Sequence, residues 1–474
     1  MDVCHKKEQR KVLATSCLIE MGERYVFYTI QSLLIFYLID SLHLVHASST
    51  KLAGTVFGMV YISALAGGYI AERFLTYYLA AFIGSLVLII GCLMMTVVHS
   101  EDSLFFGIAF ISTGSGLIKS NVSAFVGKFY DAIAARESQR DFGFNIFYMG
   151  INAGITAATF FAFYLRDKYG FSGTFYVSLV VSVAVALITS VGFVTLKDYQ
   201  RDRLVTTKSF FYAWLLIAVY IAFVFGVLKS QLLANLMFFM VVVMCGVVLV
   251  LSSRNQQSKR VFAALIFFAL STLYWALYMQ LFISILLFIH FCVQHHWMGV
   301  AINTTQFVSF ESISVLLLGV VIGKIWIYFE NKNHLVPDID KFNAAFWMLG
   351  VMFLCLYLGI TFSAAGEKVA VGFVLVGVFF MGASELALSA IGLSMVTKIA
   401  PAGYVSLYMG IWLATIGIGS KLAGQMASFI VINDHLTASK QTMEHGLLYF
   451  MLLCVGGILL SLAFRKPTLF QLKN

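Results

Sequence analysis

The chain has 474 residues, of which 61% are hydrophobic and only 11% charged, and it carries a net charge of +9. A composition this apolar cannot cover a soluble globule of that size with polar surface, so most of the chain belongs in lipid and a soluble enzyme or regulator is excluded. The positive charge does not point to nucleic acid, because Lys and Arg fall in short clusters between apolar runs rather than along one face.

Apolar runs of about 20 residues, the length with which a helix crosses roughly 30 Å of hydrocarbon, recur along the whole chain. A closed β-barrel would show short alternating segments instead. The sequence predicts helices over 12–40, 50–71, 77–98, 104–127, 142–164 and 173–196. A charged stretch from Lys197 to Lys208 follows, then two apolar runs at 209–228 and 231–252 that read as peripheral and lipid-facing. A second set covers 261–292, 305–329, 343–363, 369–399, 403–432 and 443–464. The first run contains Glu20, Glu23 and Arg24 and lacks a small-residue cleavage site, so it reads as a retained helix rather than a signal peptide.

The basic clusters fall on one side of these helices: Lys6, Lys7, Arg10 and Lys11; Lys128, Arg136 and Arg140; Lys197, Arg201, Arg203 and Lys208; Arg465 and Lys466. That bias places both termini in the cytoplasm and the chain in the inner membrane. The expectation is an all-α polytopic membrane protein with 14 transmembrane helices. A six-helix bundle (1–196) and a second one (261–474) are joined by a cytoplasmic linker with two extra helices (197–260). This is the plan of the major facilitator fold, whose halves rock about a site near the bilayer midplane. The seven cysteines lie mostly in apolar runs without CxxC or His/Cys spacing, so neither a metal nor a cofactor is expected.

A charge at bilayer depth costs several kcal/mol unless it is paired or hydrated, which makes each one a functional candidate. Glu20, Glu23 and Arg24 lie roughly 12–18 Å into the first helix. They share one face with Tyr28 and Gln31. As a structural ion-pair cluster they would only fix packing. Two acids against one base leave a carboxylate uncompensated unless it takes a proton, which is what proton coupling needs. The fourth helix adds Lys119 and Asn121 behind Gly114 and Gly116, small residues that permit close helix contact. The tenth adds Glu385, a lone mid-helix carboxylate. Arg24 and Lys119 in one half with Glu385 in the other make a dipolar trap for a zwitterion, and a peptide is one.

Glu311 and Lys421 read as a pair with each other or as packing polarity. Tyr28, Tyr61, Tyr148, Tyr278, Trp275 and Trp412 either line the cavity or belong to the core. His295 and His296 read as a solvated outer loop. No nucleophile and base, and no metal constellation, marks an enzyme site.

The run Glu20-Met-Gly-Glu23-Arg24-Tyr25-Val26-Phe27-Tyr28 resembles the ExxERFxYY signature of the proton-dependent oligopeptide transporter family. The likeness continues through Gly67 to Arg73, the segment with Lys119, Asn121, Gly127 and Tyr130, and Phe147 to Gly154. In the second half it covers Tyr274 to Gln280, Ile302-Asn303, Ser384-Glu385-Leu386 and Met409 to Trp412. The resemblance implies that Glu20 and Glu23 handle protons and that Arg24 and Lys119 hold a peptide carboxylate. It further implies that Asn152, Asn303 and Glu385 hold the peptide amino terminus.

The sequence departs from the family pattern at Gln31 and Met279, where many members have an arginine and a glutamate. Both are missing together, which leaves no orphan charge and looks like the bacterial dipeptide and tripeptide permease branch. Family prolines are replaced by Ser120, Thr304, Ser312 and Ala390, which implies straighter helices. The expected function is import of di- and tripeptides in symport with protons, by a chain that works as a monomer and whose other partner is membrane lipid. Transport of another small zwitterion or anion such as an amino acid, or a transport-poor sensor, are the alternatives.

Overall fold

The computed structural model describes residues 3–97, 100–133, 137–196, 205–253, 258–331, 337–364, 366–401 and 404–465. Arg136, Lys197, Arg201, Arg203 and Lys466, part of the basic bias, lie outside the described residues. The chain is almost wholly helical. It runs through α1 (Val3–Phe36), α2 (His46–Phe74), α3 (Tyr77–Val97), α4 (Glu101–Ala132), α5 (Glu137–Thr195), α6 (Thr207–Lys229) and α7 (Gln231–Ser252). There follow α8 (Ser258–Tyr278), α9 (Ser284–Cys292), α10 (Gln306–Asn331), α11 (Asp338–Phe362), α12 (Val371–Ile399), α13 (Val405–Ala427) and α14 (Leu436–Ala463).

The helices run past the apolar stretches because a hydropathy reading sees only what lies in hydrocarbon. The first turn of α4 holds Glu101 and Asp102, and Ser100 caps it by accepting the Ser103 N–H at 3.2 Å. The expected gap between 164 and 173 is a bend, not a loop. Gly170 sits at φ 70°, which a residue with a side chain adopts poorly, and α5 continues on both sides as two limbs.

The expected single helix over 261–292 is interrupted by a 3-10 turn at Met279–Phe282 without any proline. Gln280 stitches the break: its Nε2 donates to the Ala423 carbonyl at 3.1 Å, while its Oε1 accepts from Ser284 at 2.7 Å. Backbone irregularity inside a membrane is tolerated only when its polar groups find such partners. At Ser120 and Ala390, where the family has proline, α4 and α12 run unbroken.

Ten helical stretches among the described residues are long and apolar enough to cross a membrane, and one of them, Ile146–Gly192, is the two-limbed α5. The helices α1 and α13 fall short of this apolarity and carry the buried charges Glu20, Glu23 and Arg24, and Lys421, while α10, which carries the buried Glu311, contributes the shorter apolar stretch Gln306–Gly319. With α5 counted as two limbs and α8–α9 as one, the described residues supply the 14 helical segments expected.

The chain forms two compact units, Met1–Leu42 with Met59–Ala234, and His43–Gly58 with Asn235–Asn474. In the first, α4 approaches α2 so closely that a Cβ on Gly67 would strike the Gly116 carbonyl. Asn121 donates across this contact to the Gly67 carbonyl at 3.2 Å. Of the two extra helices, α6 joins the first unit through Tyr220 on Ser63 (3.0 Å) and Phe225 stacked on Phe106 (3.8 Å). Most of α7 joins the second. Only 17% of its apolar span is buried, against 78% for α4, as befits a helix that faces lipid.

Candidate functional site

The candidate residues collect in two clusters, one within each unit. On α1 the spacing of three and four residues puts Glu20, Glu23 and Arg24 on one face, and all three are buried. The Arg24 guanidinium turns Nε and Nη2 onto a single oxygen, Oε2 of Glu23, and its Nε lies 3.6 Å from Oε1 of Glu20. One guanidinium thus serves two carboxylates. Oε2 of Glu20 and Oε1 of Glu23 take no hydrogen bond from any described residue.

Phe27 lies under the guanidinium at 5.4 Å, and Tyr61 meets Phe27 edge-on at 6.5 Å. The Lys119 ammonium rests 4.1 Å over the Tyr61 ring, within electrostatic reach of Arg24, Glu23 and Glu20. Among the described residues it has no ion pair of its own. Tyr28 packs edge-on against Phe27 at 5.3 Å. Asn152, on α5, donates to the Tyr148 carbonyl one turn back at 3.0 Å, so its recorded bond is to its own helix. Gln31 is buried on α1.

The second cluster centres on Tyr278, the last residue of α8 before the 3-10 turn. Its hydroxyl lies 2.7 Å from Oε2 of Glu385 on α12 and 3.0 Å from Oε1 of Glu311 on α10. Ser312 donates to the other Glu311 oxygen at 3.2 Å, so one of the residues standing where the family has proline supports this carboxyl group. Tyr274, a turn before Tyr278 and stacked on it at 6.0 Å, binds Ser384 at 2.8 Å. Trp275 closes on Tyr278 at 5.2 Å, and its indole N–H has no partner among the described residues. Glu311 is buried and Glu385 half-buried.

Several expected placements differ. Glu311 is not paired with Lys421: the Lys421 ammonium binds the Thr55 hydroxyl at 2.9 Å and lies 5.8 Å from the Phe238 ring. Asn303 precedes α10, where its backbone N–H donates to Oε1 of Gln306 at 2.8 Å, an N-terminal capping arrangement. Trp412 packs edge-on to Phe342 at 6.2 Å, in the space that the missing side chain of Gly392 leaves. His295 is tethered rather than simply solvated, with its ring nitrogens 2.9 Å from the Ile302 carbonyl and 3.2 Å from that of His290. Met279 is buried in the 3-10 turn. No group of three His, Cys, Asp or Glu among the described residues could hold a metal ion.

Sequence reasoning found the first cluster and half of the second. It singled out Glu311 but set it with Lys421 or as packing polarity, whereas the structure sets it beside Glu385.

The sequence pattern of the POT family matches residues 78–443, well over half of the chain. A dipeptide and tripeptide permease A from Chromobacterium violaceum is 27% identical over 446 residues, covering 90% of this chain and 86% of that one. The protein of the same name from Escherichia coli is 24% identical, covering 90% and 85%. Among solved structures, a peptide transporter in complex with alafosfalin superimposes with a TM-score of 0.83 at 22% identity, covering 98% of this chain and 96% of that one. At that identity the likeness establishes the fold.

Proposed function

The chain belongs to the POT family, and from that premise we propose that it imports di- and tripeptides together with protons by alternating access. The observation that carries this reading is a segregation of buried charge. One unit holds Arg24 and an ammonium, Lys119, that has no ion pair among its described residues, and the other holds two carboxyl groups that no Lys or Arg among its described residues pairs with. A ligand with a carboxylate at one end and an ammonium at the other matches such a division. The dipeptide and tripeptide permeases to which the chain is similar act on ligands of that kind by name.

In this reading Glu20 and Glu23 exchange protons against Arg24. Arg24 and Lys119 hold the peptide carboxylate, with Tyr28 and Tyr61 beside them. Glu385, with Asn152 and Asn303, holds the amino terminus, and Tyr278 and Trp412 form walls. Segments 1–196 and 261–474 are the moving halves, 197–260 the linker, and the monomer suffices. The basic clusters place both termini in the cytoplasm of an inner-membrane protein. A cysteine introduced at Arg201 should resist a membrane-impermeant reagent applied from outside, and labelling there would reverse the topology.

Counterflow uptake into proteoliposomes with dipeptides, tripeptides and free amino acids tests the substrate class. Exchange of dipeptides and tripeptides supports the proposal. Preference for free amino acids would replace it with transport of another small zwitterion.

A further inference from the structure

We propose that Glu311 and Glu385, bridged by Tyr278, form a proton-binding carboxyl dyad that sets the charge offered to the substrate ammonium. This rests on the reading above in one respect, that Glu385 receives that ammonium.

The first step is a hydrogen-bond count. A phenol has one proton to donate, yet the Tyr278 oxygen lies within hydrogen-bond distance of a carboxyl oxygen on each glutamate. The two carboxyl groups are also close enough for each to feel the other's charge. Ionised carboxylates only accept. The second phenol contact is therefore a hydrogen bond only if one glutamate carries a proton.

The groups facing the pair do not remove that requirement. They are Tyr278 and, behind it, Tyr274 from α8, Ser312 from α10, and Ser384 from α12 beside Glu385. Among the described residues of this unit no Lys or Arg pairs with either carboxyl group, in contrast to Glu20 and Glu23 on α1. The buried Lys421 is engaged by Thr55.

Burial decides which glutamate holds the proton. Charge is least costly where water reaches it, and Glu385 is the half-buried member while Glu311 is buried. Glu311 is the acid and Glu385 the carboxylate. With the proton in place the dyad presents one negative charge, the complement of one ammonium. Without it two like charges share the site, and an arriving ammonium offsets one of them. Proton and ammonium therefore compete at the dyad, each weakening the other by the same factor.

Two measurements on the purified full chain test this. Infrared spectra near neutral pH should contain the carbonyl stretch of a protonated carboxylic acid that disappears in Glu311→Gln and shifts in Tyr278→Phe. Calorimetry of dipeptide binding in buffers of different ionisation enthalpy should give a proton count that differs between the wild type and Glu311→Gln. Identical bands and identical proton counts in the two proteins would overturn the dyad. If Glu311→Gln does not fold, an unshifted band in Tyr278→Phe overturns it equally. A wild type that shows the band and its Tyr278→Phe shift but neither binds nor exchanges peptide would refute peptide transport while leaving the dyad standing.

Discussion

The two units bury the same difficult pair, two carboxyl groups inside a membrane protein, by opposite means. On α1 a single guanidinium stands against Glu20 and Glu23, and the charges are held by a countercharge three and four residues away in sequence. In the second unit Glu311 and Glu385 come from different helices, meet on a phenol, and have no cation among the described residues. The first arrangement fails when its cation is lost. The second fails when its proton is lost. A carrier with both contains one cluster sensitive to charge deletion and one sensitive to protonation.

The sharpest way to break this comparison is to remove the cation. Arg24→Ala leaves two buried carboxylates facing each other without compensation, and deleting one partner of a buried ion pair costs about 3–5 kcal/mol. Thermal unfolding in detergent should show that loss, together with loss of proton-driven uptake. Glu385→Gln replaces an accepting carboxylate by an amide that still bonds Tyr278, so its unfolding cost should stay within about 1.5 kcal/mol. Equal destabilisation by the two variants would mean that both clusters depend on charge pairing.

Next in size is the coupling effect. Inward movement of one positive charge gains about 2.3 kcal/mol per 100 mV, enough for roughly 50-fold accumulation. In Glu20→Gln or Glu23→Gln the neutral side chain cannot release a proton, so that accumulation should be lost in at least one variant, while peptide exchange between equal pools falls far less. If both variants still concentrate peptide against its gradient, the α1 carboxylates are structural and the coupling site lies elsewhere.

Substrate anchoring should follow. A hydrogen bond to a charged group contributes about 1.5–3 kcal/mol, or roughly 10- to 100-fold in affinity. Lys119→Ala and Glu385→Gln should each weaken dipeptide binding by that amount in calorimetry. Unchanged affinity in either folded variant would remove that residue from the binding site.

The α1 cluster was legible in the sequence because its members are close along one helix and the cost of intramembrane charge marks them out. The helix count was legible for the same reason of solvent, since lipid imposes a length on every apolar run. The acid pair was not. Glu311 and Glu385 stand 74 residues apart on α10 and α12, and what joins them is Tyr278 at the break between α8 and the 3-10 turn. That break carries no proline. It depends on Gln280 reaching the carbonyl of Ala423 on α13, a partner that periodicity along α8 cannot identify. Asn303 shows the converse: the motif marks the residue, and what the structure adds is a backbone cap on α10.

The smallest expected effect concerns Lys421, a buried charge outside both clusters, and it tests whether the comparison covers the charges that matter. Its ammonium donates to the neutral Thr55 hydroxyl, lies 5.8 Å from the Phe238 ring, and feels the like charge of Lys51. Lys421→Met keeps the length of the side chain and gives up a hydrogen bond from a charged donor and a cation–π contact of about 0.5–1 kcal/mol. It also removes the cost of holding an ammonium out of water with no anion beside it, a cost of similar size and opposite sign. Unfolding should therefore shift by no more than about 1 kcal/mol, and peptide accumulation under a proton gradient should match the wild type. Loss of accumulation in a normally folded Lys421→Met would show a third charged region in the coupling network, and the division into a cation-held and a proton-held cluster would then be incomplete.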